Sequence, residues 1–448
     1  MIEYKLSKYN FSFPYSRFSE GKKQTVMYNT RTGMIALIEE DKYSQYREFA
    51  ENGVPVADDE LLKDLRHGGY VVNQDYDELA AIKYDLLSSR YDSHSLILTV
   101  APTSNCNFRC IYCYEKDSIK PVTMSGQTQE ELIAFVKGYM PYIKYFSVAW
   151  YGGEPLLAMD IIEKLSNAFL GLCEEHHVQY SASMVTNGYL LTAANAERIR
   201  KLKIDAIQIT LDGAAEDHDK RRFLKGGLPT FDRIIENLCE AKEFLPRNVT
   251  IRINADRKNI DRVDKVIQVL KEKGLDKKVY PYLAMVENSN DSYNDNSCLR
   301  TNEFSKYEFD FIVRNGLNII GRVPKQLSHY CGADFCGSYV VNADGRLYKC
   351  WSDVGVEERS VGTIKSGAEN NPLLLTYLLY DATEDPACRD CKFLPVCMGG
   401  CPHLRLQNPE LRCTAMKYAL DSFMGVIPEL LEHQLDEKQN KTKQEEHA

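Results

Sequence analysis

Residues 95–113, SLILTVAPTSNCNFRCIYC, place three cysteines directly after a predicted β-strand. The strand covers residues 95–100, where apolar and β-branched side chains dominate. The following loop carries Cys106, Cys110 and Cys113 within eight positions. Three thiols at this spacing indicate a metal centre, and a four-iron cluster held by three cysteines keeps one iron open to an added ligand. The alternatives are a zinc knuckle that takes a fourth ligand from elsewhere, or a group of packed thiols.

Alternation of strands and helices predicts the architecture around this loop. Five more apolar, β-branched or aromatic runs follow the first strand, at residues 145–151, 180–186, 204–210, 248–254 and 279–284. Helical periodicity lies between the strands, at residues 129–140, 160–175, 193–202, 231–244 and 260–273. This order predicts an α/β fold with parallel strands and right-handed crossovers, and six units suit a partial (β/α)6 barrel. Functional side chains are then expected at the carboxyl ends of the strands.

Composition limits the classes of function. The 448 residues carry a formal net charge of -9, which disfavours a large nucleic-acid surface. No apolar run of about 18 residues occurs, and charged side chains interrupt the first thirty residues, so neither a membrane span nor a secretory signal is predicted. We therefore expect a cytoplasmic protein. Its fourteen cysteines favour metal binding, because thiols stay reduced in that compartment.

Eight of these cysteines lie between Cys331 and Cys413. Four of them have the spacing Cys-x2-Cys-x5-Cys-x3-Cys over residues 388–401. A zinc ribbon formed by these four residues is one interpretation, and iron–sulfur ligation is the other.

The first eighty residues predict a different module. Strands at 24–29 and 33–38, helices at 41–50 and 58–66, and a strand at 70–72 form a winged-helix-like pattern. This module has 10 Lys and Arg against 14 Asp and Glu, so binding of a peptide to a strand edge is favoured over DNA binding. The predicted organisation is this domain at 1–80, a linker at 81–94, the barrel at 95–315, a cysteine-rich domain at 316–420, and a helix end with a charged tail at 421–448. A polar stretch at 287–297 is predicted to be a linker or lid.

The three-cysteine loop resembles the motif of the radical S-adenosylmethionine (radical SAM) superfamily. The resemblance implies that one [4Fe-4S] cluster binds S-adenosylmethionine and generates a 5'-deoxyadenosyl radical. The segment Gly152-Gly153-Glu154-Pro155 resembles the part of the family that holds the methionine amino group. Tyr112 matches the family position beside the adenine, and Thr186, Asn187 and Asp212 lie in segments that resemble those lining the nucleoside or substrate. Ser183 and Arg252 are candidates for polar contacts to the cofactor, and a structural hydrogen bond is the alternative for each. His218, Asp219 and Arg222 also resemble a family pattern, and we expect a structural ion-paired loop there and no catalysis.

The cysteine-rich region resembles the SPASM domain of peptide-modifying radical SAM enzymes, which implies two auxiliary [4Fe-4S] clusters. Carried over by position, one set is Cys331, Cys336, Cys350 and Cys401, and the other is Cys388, Cys391, Cys397 and Cys413. The N-terminal module resembles the leader-binding element of enzymes that modify ribosomally made peptides. The segments that match are residues 27–33, 36–38 and 68–71.

Together these resemblances imply a maturase that joins cysteine sulfur to carbon in a precursor peptide with a leader sequence, as sactipeptide and ranthipeptide synthases do. An external flavodoxin-type or ferredoxin-type electron donor is implied. Sulfatase maturases resemble this chain as well, but they place an aspartate directly after the cysteine equivalent to Cys350, where this chain has Trp351. Asp353, two residues after Trp351, is the candidate for a catalytic residue here. Another radical peptide crosslinking enzyme and a non-enzymatic iron–sulfur winged-helix sensor are the remaining alternatives.

Overall fold

The computed structural model describes residues 3–16, 23–407 and 413–430. The chain divides into two compact units. Unit 1 contains Met1–Ser89, Thr301–Tyr330 and Asp381–Ala448, and unit 2 contains Arg90–Arg300 and Cys331–Tyr380.

In chain order, the strands are β1 (Tyr4–Leu6), β2 (Asn10–Ser16), β3 (Lys23–Asn29), β4 (Ile35–Glu39), β5 (Val71–Asn73), β6 (Ser95–Val100), β7 (Tyr145–Trp150), β8 (Gln179–Thr186), β9 (Ile204–Thr210), β10 (Asn248–Ala255), β11 (Tyr280–Met285), β12 (Ser338–Val341), β13 (Arg346–Tyr348), β14 (Gly362–Thr363) and β15 (Gly367–Ala368). The helices are α1 (Glu40–Asn52), α2 (Asp59–His67), α3 (Glu78–Arg90), α4 (Gly126–Tyr139), α5 (Met159–Glu175), α6 (Ala193–Lys201), α7 (Ala215–Arg221), α8 (Phe231–Glu240), α9 (Asp264–Glu272), α10 (Thr301–Arg314), α11 (Pro372–Leu379), α12 (Leu394–Cys397) and α13 (Pro402–Gln407).

Unit 2 is built on a ten-stranded sheet in the order β11-β10-β9-β8-β7-β6-β12-β13-β14-β15. Seven consecutive strands, from β11 to β12, are parallel, and the last three pair antiparallel. Helices alternate with β6 to β11, so the α/β class and the six parallel strands predicted from the sequence are confirmed. The carboxyl ends of these strands lie at one edge of the sheet, as parallel pairing requires.

Local sequence explains why these elements begin where they do. Ser125 and Thr192 cap α4 and α6 by accepting hydrogen bonds from the backbone N–H groups of Thr128 and Asn195. Fully buried residues hold the sheet to its helices, and Trp150 of β7 stacks against Phe169 of α5 with 6.3 Å between ring centroids. Burial of each large apolar side chain contributes about 1.5–3 kcal/mol to folding.

Unit 1 contains a three-stranded antiparallel sheet, β2-β3-β4, and a separate β1–β5 pair. A buried Asn29 organises the turn after β3: its Nδ2 donates to Ser7 Oγ, Asn10 Oδ1 and Gly69 O, and its Oδ1 accepts from Thr32 N. Gly69 adopts a left-handed φ of +75°, and a Cβ there would lie 2.4 Å from Thr32 Cγ2. The two N-terminal segments identified in the sequence, 27–33 and 68–71, therefore meet in one structure.

The structure differs from the prediction in the placement of boundaries. The predicted linker at 81–94 is largely helix α3, in which Ile82 and Leu86 are buried. The polar stretch at 287–297 forms two short 3-10 turns, Ser289–Asp291 and Asp295–Ser297. In the part of the chain that the structure describes, no helix is both long and apolar enough to cross a membrane. The charged tail beyond residue 430 lies outside the described residues.

Candidate active site

A cavity of about 360 Å³ lies at the carboxyl ends of the parallel strands in unit 2. Most residues predicted to bind the cluster or cofactor line it: Cys106, Cys110, Tyr112, Cys113, Gly152, Gly153, Glu154, Thr186, Asn187 and Arg252. Two predicted residues do not line it. Ser183 lies within β8, and Asp212 is fully buried.

Backbone hydrogen bonds to the end of α7 and to the residues just after it hold the cysteine loop in place. Arg109 N donates to Phe223 O at 2.8 Å, and Ile111 N donates to Arg221 O at 3.0 Å. Within the loop, Cys113 N donates to Cys110 O at 3.2 Å. The loop therefore presents its thiols on a backbone that is fixed at several points.

Burial makes the thiol form of these cysteines favourable in the absence of a metal. It raises the pKa of Cys106 to about 12, and it raises the pKa values of Cys110 and Cys113 as well. The nearby Arg222 guanidinium acts in the opposite direction on the pKa of Cys110. Three sulfur donors from one loop that line a single cavity fit an iron–sulfur cluster, whose positive irons favour the thiolate form.

The Gly152-Gly153 turn packs directly on the backbone that leads into the cysteine loop. A Cβ at Gly152, where φ is +106°, would lie 2.6 Å from Thr103 O. A Cβ at Gly153 would lie 2.3 Å from Asn105 O. Glycine is required because backbone atoms fill the space that a side chain would need.

Glu154 joins the ends of two strands and is completely buried. Its carboxylate accepts hydrogen bonds from Thr186 Oγ1 at 2.7 Å, Asn187 N at 2.8 Å and Leu156 N at 3.0 Å. Burial raises the pKa of Glu154, and these donors lower it. The side chain of Asn187 continues this network to the cysteine loop by donating to Asn107 Oδ1 at 2.8 Å. Glu154 therefore fixes the geometry of the site.

Tyr112 lines the cavity with its ring, while its hydroxyl is held by buried polar groups. It donates to Asp212 Oδ2 at 2.5 Å and accepts from Arg222 Nη1 and Asn254 Nδ2, each at 3.0 Å. Arg221 pairs with the same Asp212 carboxylate at 3.0 Å. Asp212 thus orients the side chain of Tyr112 from behind the cavity.

Two of the three residues predicted to form an ion-paired loop after β9, His218 and Asp219, lie on helix α7 instead and make structural hydrogen bonds. His218 is buried, and its ring accepts from Asp212 N at 3.2 Å, while burial lowers its pKa. Asp219 accepts from the backbone N–H groups of Thr230 and Phe231 at the start of α8. Arg222 differs from His218 and Asp219 because it lines the cavity.

Further cavity residues were not identified from the sequence as members of the site, among them Glu115, Tyr151, Glu287 and Trp351. The Trp351 indole donates to Thr99 Oγ1 at 3.1 Å, and its ring lies 4.4 Å from that of Tyr151. Asp353, the residue predicted as a catalytic candidate, does not line the cavity. It is 2% exposed, pairs with Arg359 at 3.2 Å and accepts from the Tyr377 hydroxyl at 2.9 Å.

Comparison with known proteins identifies the domain that contains this cavity. Residues 100–270 match the Radical SAM superfamily. This stretch is a radical SAM domain. It contains the cysteine loop, the Gly152-Gly153-Glu154 turn and the network around Tyr112, so the radical SAM domain predicted from the sequence is confirmed.

Relatives of the whole chain extend beyond the radical SAM domain. A cysteine-type anaerobic sulfatase-maturating enzyme of Clostridium novyi (strain NT) is 24% identical over 339 residues, covering 68% of this chain and 88% of the relative. A GTP 3',8-cyclase of Synechococcus sp. (strain CC9902) is 26% identical over 309 residues, covering 61% of this chain and 85% of the relative.

Solved structures with a similar fold include two peptide complexes. The structure of anSMEcpe with bound AdoMet and Cp18Cys peptide has a TM-score of 0.59 at 22% identity, over 76% of this chain and 99% of that chain. Streptococcus suis SuiB bound to precursor peptide SuiA has a TM-score of 0.51 at 16% identity, over 92% of this chain and 99% of that chain. At these identities the likeness shows the fold alone, and it covers more than the radical SAM domain.

The second predicted cysteine set lies together in unit 1. Cys388, Cys391, Cys397 and Cys413 line one cavity, where burial raises the pKa of Cys397 to about 11. Across residues 3–16, 23–407 and 413–430, no three His, Cys, Asp or Glu side chains are arranged to hold a single metal ion. These four thiols line the wall of their shared cavity, and four sulfur donors fit an iron–sulfur cluster.

The four cysteines predicted to hold the other auxiliary cluster are divided between the two units. Cys331, Cys336 and Cys350 belong to unit 2, and Cys401 belongs to unit 1. Lys349 is buried next to Cys350 in the chain and donates from Nζ to Ser338 O at 2.7 Å. Burial lowers the pKa of Lys349 to about 8, while Cys336 and Cys331 raise it. The ligation of a cluster by this set stays a prediction.

Proposed function

We propose that the chain is a radical peptide maturase that installs thioether crosslinks, from cysteine sulfur to carbon, in a ribosomally synthesised precursor. The observation that carries the proposal is the cavity in which three thiols of one loop lie beside the Gly152-Gly153-Glu154 turn. Cys106, Cys110 and Cys113 would hold the cluster there. When bound, the cluster and S-adenosylmethionine supply a carbon-centred radical that removes a hydrogen atom from the substrate.

The residues of this chain have separate tasks in that reaction. Glu154 holds the ends of β7 and β8 together through its bonds to Thr186 and Asn187, which keeps the cofactor surface in shape. Tyr112, fixed by Asp212, provides an aromatic wall to the cavity. Tyr151 and Trp351 form a second aromatic wall and leave less room for water near the reacting atoms.

The N-terminal sheet supports binding of a leader peptide as an added strand. In the order β2-β3-β4, the two outer strands are β2 and β4. Two features of β2 make it less suited to pair with an added strand. Within unit 1, Lys392 Nζ donates to Asn10 O at 2.9 Å, and Pro14 of β2 lacks an N–H group. Strand β4 pairs with β3 on one side, so its other edge can accept a strand.

Comparison with sulfatase maturation also favours this proposal. The position after Cys350 holds Trp351, whose indole lines the cavity and donates to Thr99. The nearest following aspartate, Asp353, is already bonded to Arg359 and Tyr377. An aromatic side chain therefore replaces the carboxylate at the position where sulfatase maturases that resemble this chain have one. The relatives named as sulfatase-maturating enzymes make that activity the second candidate.

An anaerobic assay tests both candidates. The enzyme, with its clusters reconstituted, is incubated with S-adenosylmethionine, a strong reductant and the cysteine-containing peptide encoded beside its gene. We expect 5'-deoxyadenosine and a peptide lighter by two hydrogens per crosslink, with no free thiol at the joined cysteine. A sulfatase-derived cysteine peptide serves as the control. Conversion of that control to an aldehyde, with the neighbouring peptide unchanged, would contradict the proposal.

A further inference from the structure

Three glutamates line the cavity of the radical SAM domain, and their surroundings differ. Glu154 accepts three hydrogen bonds from within the protein, so its oxygens are committed to holding the site. Glu115 lies two residues after Cys113 and also lines a second cavity of about 230 Å³. Glu287 lies two residues beyond the end of β11, which is the sixth parallel strand in chain order.

The Glu287 side chain is partly buried in the cavity wall without a hydrogen-bond donor. Among the residues that the structure describes, no N–H or O–H group donates to its carboxylate, and no cation lies within ion-pair distance. Burial raises the pKa of Glu287, and the more distant charge of Arg252 lowers it. Removing a carboxylate from water without hydrogen bonds is costly, and such groups in clefts are candidates for catalytic work.

The backbone on both sides of Glu287 is held firmly. Before it, Val286 N donates to Ala255 O at 3.0 Å. After it, Asn290 adopts a left-handed φ of +57° and donates from Nδ2 to Ser352 O at 2.8 Å. Arg359 Nη1 donates back to Asn290 Oδ1 at 2.9 Å. The carboxylate is thus positioned at the cavity by a fixed segment.

A cysteine must lose its thiol proton before its sulfur can form a second bond to carbon. We propose that the Glu287 carboxylate accepts this proton from the substrate cysteine. The S–H bond breaks with its electron pair left on sulfur, and the proton moves to a carboxylate oxygen, so no electron is transferred in this step. Solvent afterwards returns the carboxyl group to its ionised form. This assignment rests on the proposed thioether function, because that reaction supplies the thiol.

Substitution Glu287→Gln tests the assignment, because the amide keeps the shape of the side chain and cannot accept the proton. With the neighbouring cysteine-containing peptide as substrate, we expect crosslink formation to fall by about 10² or more. Formation of 5'-deoxyadenosine should continue, so the ratio of 5'-deoxyadenosine to crosslinked peptide should rise. Glu308→Gln is the matched control, because burial also raises the pKa of Glu308, on α10 in unit 1.

A second variant separates base chemistry from structure. In Glu287→Ala, added formate or acetate should restore part of the crosslinking, because a small carboxylate can occupy the vacated space. Equal crosslinking in Glu287→Gln and the unaltered enzyme would overturn the assignment. Loss of 5'-deoxyadenosine formation in Glu287→Gln would also overturn it, because that result would place Glu287 in cofactor binding. The same holds if crosslinking is lost in Glu115→Gln and kept in Glu287→Gln. If the unaltered enzyme makes 5'-deoxyadenosine and no crosslink, the proposed function fails instead.

Discussion

Cys106, Cys110 and Cys113 are the three thiols that line the cavity of the radical SAM domain. Replacement of any one by alanine removes a ligand that a four-iron cluster requires. We expect each variant to lose 5'-deoxyadenosine formation by at least about 10³, measured anaerobically by chromatography with reductant and S-adenosylmethionine. Cys239→Ala, which changes a thiol on α8, should retain the activity. Turnover at the original rate in a loop variant would refute the ligand assignment.

Gly153 offers a second test, because a Cβ there would lie 2.3 Å from Asn105 O. We expect Gly153→Ala to displace the cysteine loop and weaken S-adenosylmethionine binding by tenfold or more, measured by equilibrium binding to the reconstituted protein. Gly171→Ala is the control, since a Cβ at this position of α5 meets open space. That variant should bind normally and gain about 0.5–1 kcal/mol in free energy of unfolding. Undiminished binding by Gly153→Ala would show that the turn tolerates a side chain.

Sequence motifs identified the residues of the cavity that are neighbours in the sequence. The cysteine loop and the Gly152-Gly153-Glu154 turn follow strands directly, so strand prediction and motif spacing locate them together. Glu287 and Trp351 reach the same cavity from distant parts of the chain. Their types form no local pattern, and only the order of strands in the sheet brings them to the site. The burial that sets the pKa of Glu287 likewise depends on packing.

The parallel strands β6 to β11 were predictable because each is a run of six to eight residues in which apolar, β-branched and aromatic side chains predominate. Strand β1 has three residues, too few to show a period. Strand β2 carries a period-two pattern at Phe11, Phe13 and Tyr15, but Pro14 argues against a central strand. It is tolerated because β2 is an outer strand of its sheet.

Strand β4 is the element on which leader binding can be tested directly. If a leader peptide adds to its outer edge, the backbone N–H groups of β4 that face this edge gain hydrogen-bond partners. We expect slower hydrogen–deuterium exchange over Ile35–Glu39 when full-length precursor is added. The precursor without its leader should leave this exchange unchanged, and β3 provides the internal control because it is paired on both sides. Protection confined to α2 would point to another binding surface.

On the scale of the whole chain, unit 1 joins segments that are far apart in sequence. The Tyr28 hydroxyl donates to Pro324 O at 2.7 Å, and Thr30 Oγ1 donates to Lys392 O at 2.5 Å. These contacts explain why Thr301–Tyr330 and the segment that begins at Asp381 group with the N-terminal module and not with the predicted domains at 95–315 and 316–420. Such pairings depend on single side-chain contacts to backbone carbonyls, which leave no trace in composition or periodicity.

The division into units separates two of the predicted metal sites. The cysteine loop belongs to unit 2, and the set Cys388, Cys391, Cys397 and Cys413 belongs to unit 1. Because the sets share no ligand, the double variant Cys388→Ala/Cys391→Ala should lose about four irons per chain and still cleave S-adenosylmethionine. Crosslinked peptide should decline, since the proposed reaction has an electron to dispose of after the carbon–sulfur bond forms. Iron analysis, 5'-deoxyadenosine yield and peptide mass together check these outcomes.

The double variant Cys106→Ala/Cys110→Ala in the cysteine loop is the comparison for the iron analysis. It should lose a similar amount of iron, about four per chain, but with complete loss of cofactor cleavage. If the cysteines of unit 1 bind zinc, their double variant will lose zinc and keep all its iron. Circular dichroism checks that both double variants fold. If both then lose cofactor cleavage equally, the two sites do not act independently, and the prediction drawn from their separate ligands is wrong.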